Sequence, residues 1–97
     1  NGVVVVMKNE EKLVSKKTLL KFYGEWCSPC KILDGVIKNV DLSQVEYENI
    51  DISSAPDVTA HYRVRAVPTI ILLDEEENEI KRFVGTMNAE ALTKWIE

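Results

Sequence analysis

The chain has 97 residues, 45% of them apolar and 29% charged, with a formal net charge of −4. That length holds one hydrophobic core, so residues 1–97 are expected to form a single domain, and the composition is that of a globular chain rather than a disordered one. The acidic balance gives nucleic acid and anionic membrane no electrostatic reason to bind. No apolar stretch approaches the length that spans a bilayer. Asn1 in place of an initiator methionine points to trimming, and Val3–Val6 is too short for the core of a signal peptide.

In chain order, Val3–Val6 reads as a short β-branched strand, and the charged segment Lys8–Lys17 as a short helix. Thr18–Tyr23 reads as a buried strand that ends at Gly24. Ile32, Leu33, Val36, Ile37 and Val40 then recur at i, i+1, i+4, i+5 and i+8, one face of a helix running to about Val40. Val45–Ile50 reads as a third strand. Pro56–Tyr62 reads as a short helix, with Pro56 suited to its first turn. Thr69–Leu73 and Ile80–Val84 are strands joined by a turn over Asp74–Glu79. Asn88 is the expected N-cap of a last helix whose Ala89, Leu92, Trp95 and Ile96 share a face. The order β-α-β-α-β-α-β-β-α predicts an α/β domain: parallel βαβ units first, a hairpin last, and helices on both faces of a mixed sheet of about five strands.

The two cysteines are three positions apart, at Cys27 and Cys30. A bridge across so short a gap removes little entropy from the unfolded chain, so stapling is a poor reason for the pair. Chemistry is a better one. Cys27-Ser28-Pro29-Cys30 falls where a strand hands over to a helix, which places Cys27 near unpaired N–H groups and the positive end of the helix dipole. Such a position lowers a cysteine pKa from about 8.5 toward 7 or below, and the thiolate is the nucleophile of disulfide exchange. Cys30, one turn later, can reach back. Pro29 donates no hydrogen bond, which suits a first helical turn, and Trp26 offers an apolar flank. The pair could also be half of a zinc site, but zinc takes four ligands, and His61 is the only further soft one unless two copies share the ion. Two inert cysteines are the remaining alternative.

The segment Gly24-Glu25-Trp26-Cys27-Ser28-Pro29-Cys30-Lys31 resembles the active-site segment of the thioredoxin family, which usually has glycine at the place of Ser28. Arg65-Ala66-Val67-Pro68-Thr69 resembles the loop whose proline is cis in that family, and Phe83-Val84-Gly85 resembles the segment before its last helix. The resemblance runs from Val3 to Glu97. It implies the thioredoxin fold and a thiol–disulfide oxidoreductase. Cys27 would be the attacking thiolate and Cys30 the resolving thiol. Pro68 would lie beside them, the Val67 backbone would pair with a bound substrate strand, and Trp26, Ile50, Val84 and Gly85 would form an apolar rim.

Several positions depart from the family. Lys21 stands where thioredoxins carry a buried aspartate, and Tyr47 where they usually carry a lysine. An unpaired cation inside an apolar strand is costly. The preferred reading is that the Lys21 stem packs while its ammonium reaches water; the alternative is that it serves Cys30 as a cation or as a proton acceptor. Alternation puts Glu46 and Glu48 on the face opposite Tyr47, so neither substitutes for the missing carboxylate. Gly35 stands for a kinking proline, Ala66 for a glycine and Tyr23 for a tryptophan, and two extra residues lie between Asn49 and Pro68. His61 and the Asp74–Glu79 cluster read as solvated, and Trp95, Leu92 and Ile96 as core.

The leading reading is a monomeric protein-disulfide reductase that needs no tightly bound cofactor and no metal, placed in the cytoplasm on the lack of a visible export signal and of further cysteines. Its partners would be disulfide-containing proteins and a thioredoxin reductase or similar electron donor, with no nucleic acid or membrane. Two alternatives stand beside it: an oxidase or isomerase with a more oxidising pair, and a non-catalytic accessory subunit bound to a larger protein.

Overall fold

A computed structural model describes residues 16–97, in which the chain forms β1 (Lys17–Tyr23), α1 (Ser28–Ile37), β2 (Val45–Asp51), α2 (Pro56–His61), β3 (Thr69–Leu73), β4 (Glu79–Val84) and α3 (Ala89–Trp95). The strand expected at Val3–Val6 and most of the helix expected over Lys8–Lys17 lie outside the described residues; Lys17 itself opens β1. The described strands form one mixed sheet in the order β2-β1-β3-β4. β1 and β2 are parallel, joined through α1, whereas β3 runs antiparallel to both β1 and β4.

β3, Thr-Ile-Ile-Leu-Leu, is buried at every position. A strand covered on both faces cannot alternate apolar with polar, which is why its sequence is an unbroken apolar run. Alternation divides it instead between two cores. Ile70 and Leu72 join Leu19, Leu33, Ile37 and Leu92 on the face covered by α1 and α3. Ile71 and Leu73 join Leu20 and Phe22 on the other, where Tyr62 and Val64 follow α2. Phe22 meets the Tyr62 ring edge-on at 6.0 Å between centroids, a favoured aromatic geometry. β4 is exposed along most of its length.

The helix ends follow from local chemistry. Asn88 caps α3 by accepting the Ala91 N–H at 2.8 Å, as its sequence position predicts. α2 ends in a left-handed residue, Arg63 at φ 56. Val64 N–H then reaches the Thr59 carbonyl at 3.1 Å and Arg63 N–H the Ala60 carbonyl at 3.0 Å, the two bonds of a Schellman cap. At the β3–β4 turn, Asp74 Oδ1 accepts the N–H groups of Glu76 and Asn78 at 2.8 and 2.9 Å.

α1 differs from its expected form in two ways. It ends at Ile37, with Val40 buried in the turn that follows. Its buried face is Cys30, Leu33 and Ile37, while Ile32 is 60% exposed. Positions 30, 33 and 37 keep the spacing of one helical face; Ile32 lies a full step around the helix from Leu33 and faces water.

Candidate active site

Cys27 is the N-cap of α1, held in extended backbone with φ −103 and ψ 102. Its sulfur accepts the backbone N–H of Cys30 at 3.2 Å, taking the place that a serine or aspartate oxygen fills at an ordinary cap. The donor is one of the orphan N–H groups of the first turn, and the helix dipole adds to it. Both favour negative charge on the sulfur. Pro29 lies within that turn, where its missing N–H leaves no bond unmade. Cys27 and Cys30 are joined as a disulfide with their Cα atoms 5.2 Å apart. Burial separates the two sulfurs' surroundings: Cys30 is 2% exposed, while Cys27 is half-buried.

The loop before β3 comes to the same place. The Val67–Pro68 peptide bond is cis, and the Val67 carbonyl oxygen lies 3.6 Å from Cys27 Sγ. Two bonds hold that loop. Thr69 Oγ1 donates to the Ala66 carbonyl at 2.6 Å, and the Gly85 N–H donates to the Pro68 carbonyl at 2.9 Å. Gly85 makes its bond at φ +116, a backbone conformation that side-chain-bearing residues rarely adopt.

A groove of about 590 Å³ opens beside Cys27 between Gly24, Glu25, Trp26, Ile52, Ser53 and Val67. Trp26 is 89% exposed, so its indole gives the sulfurs little cover. Val84 is 55% exposed at the end of β4, and Gly85 is tied to Pro68. Ile50 does not line this groove. It packs on the Leu20 and Phe22 side of the sheet and faces a separate cavity there with Glu48, Val58 and Tyr62. Ile52, which sequence reasoning passed over, takes the place in the groove. The signal was weak because Ile52 follows the last residue of β2, where strand alternation no longer decides which way a side chain points. The Asp51 carboxylate fixes that corner by accepting the Ser53 N–H and hydroxyl at 2.9 and 2.8 Å, and these bonds hold its pKa below the ordinary carboxylate value.

Lys21 corrects the preferred reading. Its side chain is fully buried, and Nζ meets Asp34 Oδ1 rather than water. Snorkelling fails because the residue sits in the middle of a central strand, with α1 laid over it. The counter-charge comes from α1 itself: Asp34 is one turn beyond Cys30, and its side chain remains 47% exposed. Among the described residues, Lys21 Nζ makes no well-aligned hydrogen bond, although it lies 5.2 Å from the Tyr23 ring centroid. Burial lowers the Lys21 pKa from its ordinary value. Asp34, with its carboxylate half in water, is a screened partner for the buried cation. Tyr47 is packed against the same core, and burial raises its pKa. His61 is exposed on α2, stacked edge-on to Tyr62 at 4.8 Å. Among the described residues, no three His, Cys, Asp or Glu side chains gather to hold a metal, and no helix is long and apolar enough to cross a membrane.

A mixed sheet flanked by three helices, with a bonded Cys-x-x-Cys pair at a strand-to-helix junction and the carbonyl of a cis Val67–Pro68 bond against the first sulfur, defines a thioredoxin-fold protein. The thioredoxin family model matches residues 3–97, and the chain belongs to that family. It is 34% identical over 88 residues to a thioredoxin of Chlamydia trachomatis serovar D, covering 89% of this chain and 85% of the relative. It is 33% identical over 81 residues to a thioredoxin of Rickettsia bellii, covering 80% and 76%. Among solved structures, a thioredoxin variant from Halobacterium salinarum NRC-1 superimposes with a TM-score of 0.77 at 28% identity, over 86% of this chain and 74% of that one. Thioredoxin from Fasciola hepatica superimposes with a TM-score of 0.76 at 25% identity, over 86% and 80%. The family's chemistry is thiol–disulfide exchange, and this chain carries the cysteine pair that such exchange requires.

Proposed function

We propose that the protein reduces disulfide bonds in other proteins, with Cys27 as the attacking thiolate and Cys30 as the resolving thiol. In the reduced form, the Cys27 thiolate attacks one sulfur of a substrate disulfide. A mixed disulfide forms and the other substrate sulfur leaves as a thiolate. Cys30 then loses its proton and attacks Cys27 Sγ. The second substrate sulfur leaves, and the protein is left with the Cys27–Cys30 bond. Two electrons pass to the substrate, and a thioredoxin reductase or a similar dithiol donor returns them. A bound substrate chain lies in the groove beside Trp26 and Ile52, its backbone against that of Val67, with Pro68, Val84 and Gly85 bordering it. Dithiol reductases of this kind work in a reducing compartment, and we assign the protein to the cytoplasm.

The observation that carries this reading is the capping of the Cys27 sulfur by the Cys30 N–H at 3.2 Å. It stabilises a thiolate on the half-exposed cysteine while the resolving one stays buried and within bonding reach. The test is turbidimetric reduction of insulin with dithiothreitol as donor. The native protein accelerates it, Cys27→Ser abolishes the acceleration, and Cys30→Ser accumulates a mixed disulfide on Cys27. A protein that fails to accelerate insulin reduction, or a double serine variant that matches the native protein, removes the reductase reading and favours an accessory binding subunit.

A further inference from the structure

The resolving step, which rests on the reductase reading above, raises a problem that the buried layer under α1 makes acute. Cys30 is 2% exposed, so its thiol has no direct route to give its proton to water, yet only the thiolate attacks a disulfide. Some group in that layer has to take the proton. The charged and titratable groups that face it can be named element by element. α1 supplies Cys30 and Asp34, and β1 supplies Lys21 and Tyr23. β2 supplies Tyr47 and Asp51, the register partners of Leu19 and Tyr23. β3 and α3 face the layer with the apolar Ile70, Leu72 and Leu92. β4 places Lys81 opposite Leu72, where its amine lies 4.8 Å above the Trp95 ring.

Most of these cannot act as the acceptor. An ammonium has no lone pair to offer, which rules out Lys81 and a charged Lys21. Tyr47 holds its proton more tightly than an ordinary phenol because it is buried. Asp51 turns its Oδ1 to the Ser53 N–H and hydroxyl at the exposed corner after β2. Asp34 remains. It stands four residues after Cys30 on the same helix, and side chains at that spacing lie one above the other, with Cβ atoms about 5–6 Å apart. One side of its carboxylate turns inward to the Lys21 ammonium, and nearly half of its side chain meets water.

We propose that Asp34, held toward the core by Lys21, accepts the Cys30 proton during resolution and passes it to solvent. The Cys30 S–H bond breaks and its proton goes to the Asp34 carboxylate. The electron pair left on sulfur forms the bond to Cys27 Sγ. The bond between Cys27 and the substrate sulfur breaks, and that sulfur departs as a thiolate and is protonated by water. Asp34 returns its proton to bulk water through its exposed edge. Lys21 is a positioning residue: its buried cation draws the Asp34 carboxylate toward the layer that holds Cys30.

The experiment is single-turnover reduction of insulin by the reduced full-length protein, with acid-quenched samples resolved by mass to separate mixed-disulfide formation from its resolution. In Asp34→Asn, resolution at pH 7 slows about ten-fold or more relative to attack. The deficit narrows as pH rises toward 9, because hydroxide takes over the proton removal that Asp34 performs at pH 7. Asp34→Glu restores resolution to within about three-fold of the native rate, as a carboxylate on a longer arm should. Lys21→Met/Asp34→Leu replaces the pair with apolar side chains, a change that buried pairs often tolerate. It shows the same slow, pH-dependent resolution and serves in place of Asp34→Asn if that variant does not fold. An unchanged ratio of resolution to attack, a deficit constant from pH 7 to 9, or one that Asp34→Glu leaves in place overturns the assignment while native insulin reduction still stands. A native protein that forms no mixed disulfide at all overturns the reductase reading, and this inference with it.

Discussion

The backbone N–H of Cys30 points at the Cys27 sulfur from 3.2 Å, so each cysteine of the pair helps define the other's environment. The helix that buries Cys30 is the same helix whose first turn caps Cys27. One sulfur is thereby presented at the rim of a groove and the other withheld beneath it.

The first prediction concerns selectivity. Iodoacetamide added to the reduced protein at pH 7 should modify Cys27 at least about ten-fold faster than Cys30, because reactivity follows thiolate character together with access. Peptide mapping by mass spectrometry at short times reads the ratio. Equal labelling would mean that the buried position of Cys30 is lost on reduction.

The second concerns the buried lysine. Burial makes Lys21 hold its proton less tightly in the folded state than in the unfolded one. Between the lowered folded value and the ordinary 10.5, the unfolded chain binds more protons, so this residue makes stability rise with pH in that window. Below the window both states are protonated and the cost of burying the cation is felt in full. Because the Asp34 left behind is half exposed and can turn to water, Lys21→Met should be as stable as the native protein at pH 7, or more stable by about 1 kcal/mol. Its advantage should shrink as pH climbs toward 10. Urea midpoints of both proteins across that range check the sign.

Phe22 tests the core behind the sheet. It is fully buried and meets Tyr62 edge-on, so Phe22→Ala should cost about 3–5 kcal/mol in a urea titration. Phe22→Leu keeps most of the volume and should cost less than half as much. A small effect of the alanine would mean that the Tyr62 side collapses into the space.

Asn88 gives a local control. Its side chain caps the Ala91 N–H, and Asn88→Ala should lose about 1 kcal/mol while Asn88→Ser loses little. Thermal midpoints separate the two. Neither variant should alter the alkylation ratio at Cys27, because α3 lies away from the groove.

What the sequence made legible was whatever depends on near neighbours along the chain. The cap at Asn88, the unbroken apolar run of β3, and the placing of Cys27 and Cys30 across a strand–helix junction all follow from short-range rules, and the four described strands fall within a residue or two of their expected limits. What escaped was set by packing between distant segments. Ile32 and Leu33 are both apolar, and periodicity alone put them on one face; only the sheet beneath α1 decides that Leu33 goes in and Ile32 out. Lys21 was readable as an anomaly but not its solution, because the counter-ion lies thirteen residues away on a helix that crosses over the strand. Ile52 rather than Ile50 reaches the groove because the chain turns after Asp51, and the turn is fixed by Ser53 rather than by any pattern of hydrophobicity.

The central claim is that Cys27 and Cys30 form a reducing couple. Equilibrating the pair against a thioredoxin or glutathione standard and counting reduced and oxidised protein after acid quenching measures this directly. The account predicts a two-electron couple near about −270 mV, in the range of reducing thioredoxins. A potential near about −180 mV or higher would place the pair among isomerases and oxidases instead, and the absence of a two-electron couple would contradict the redox role outright.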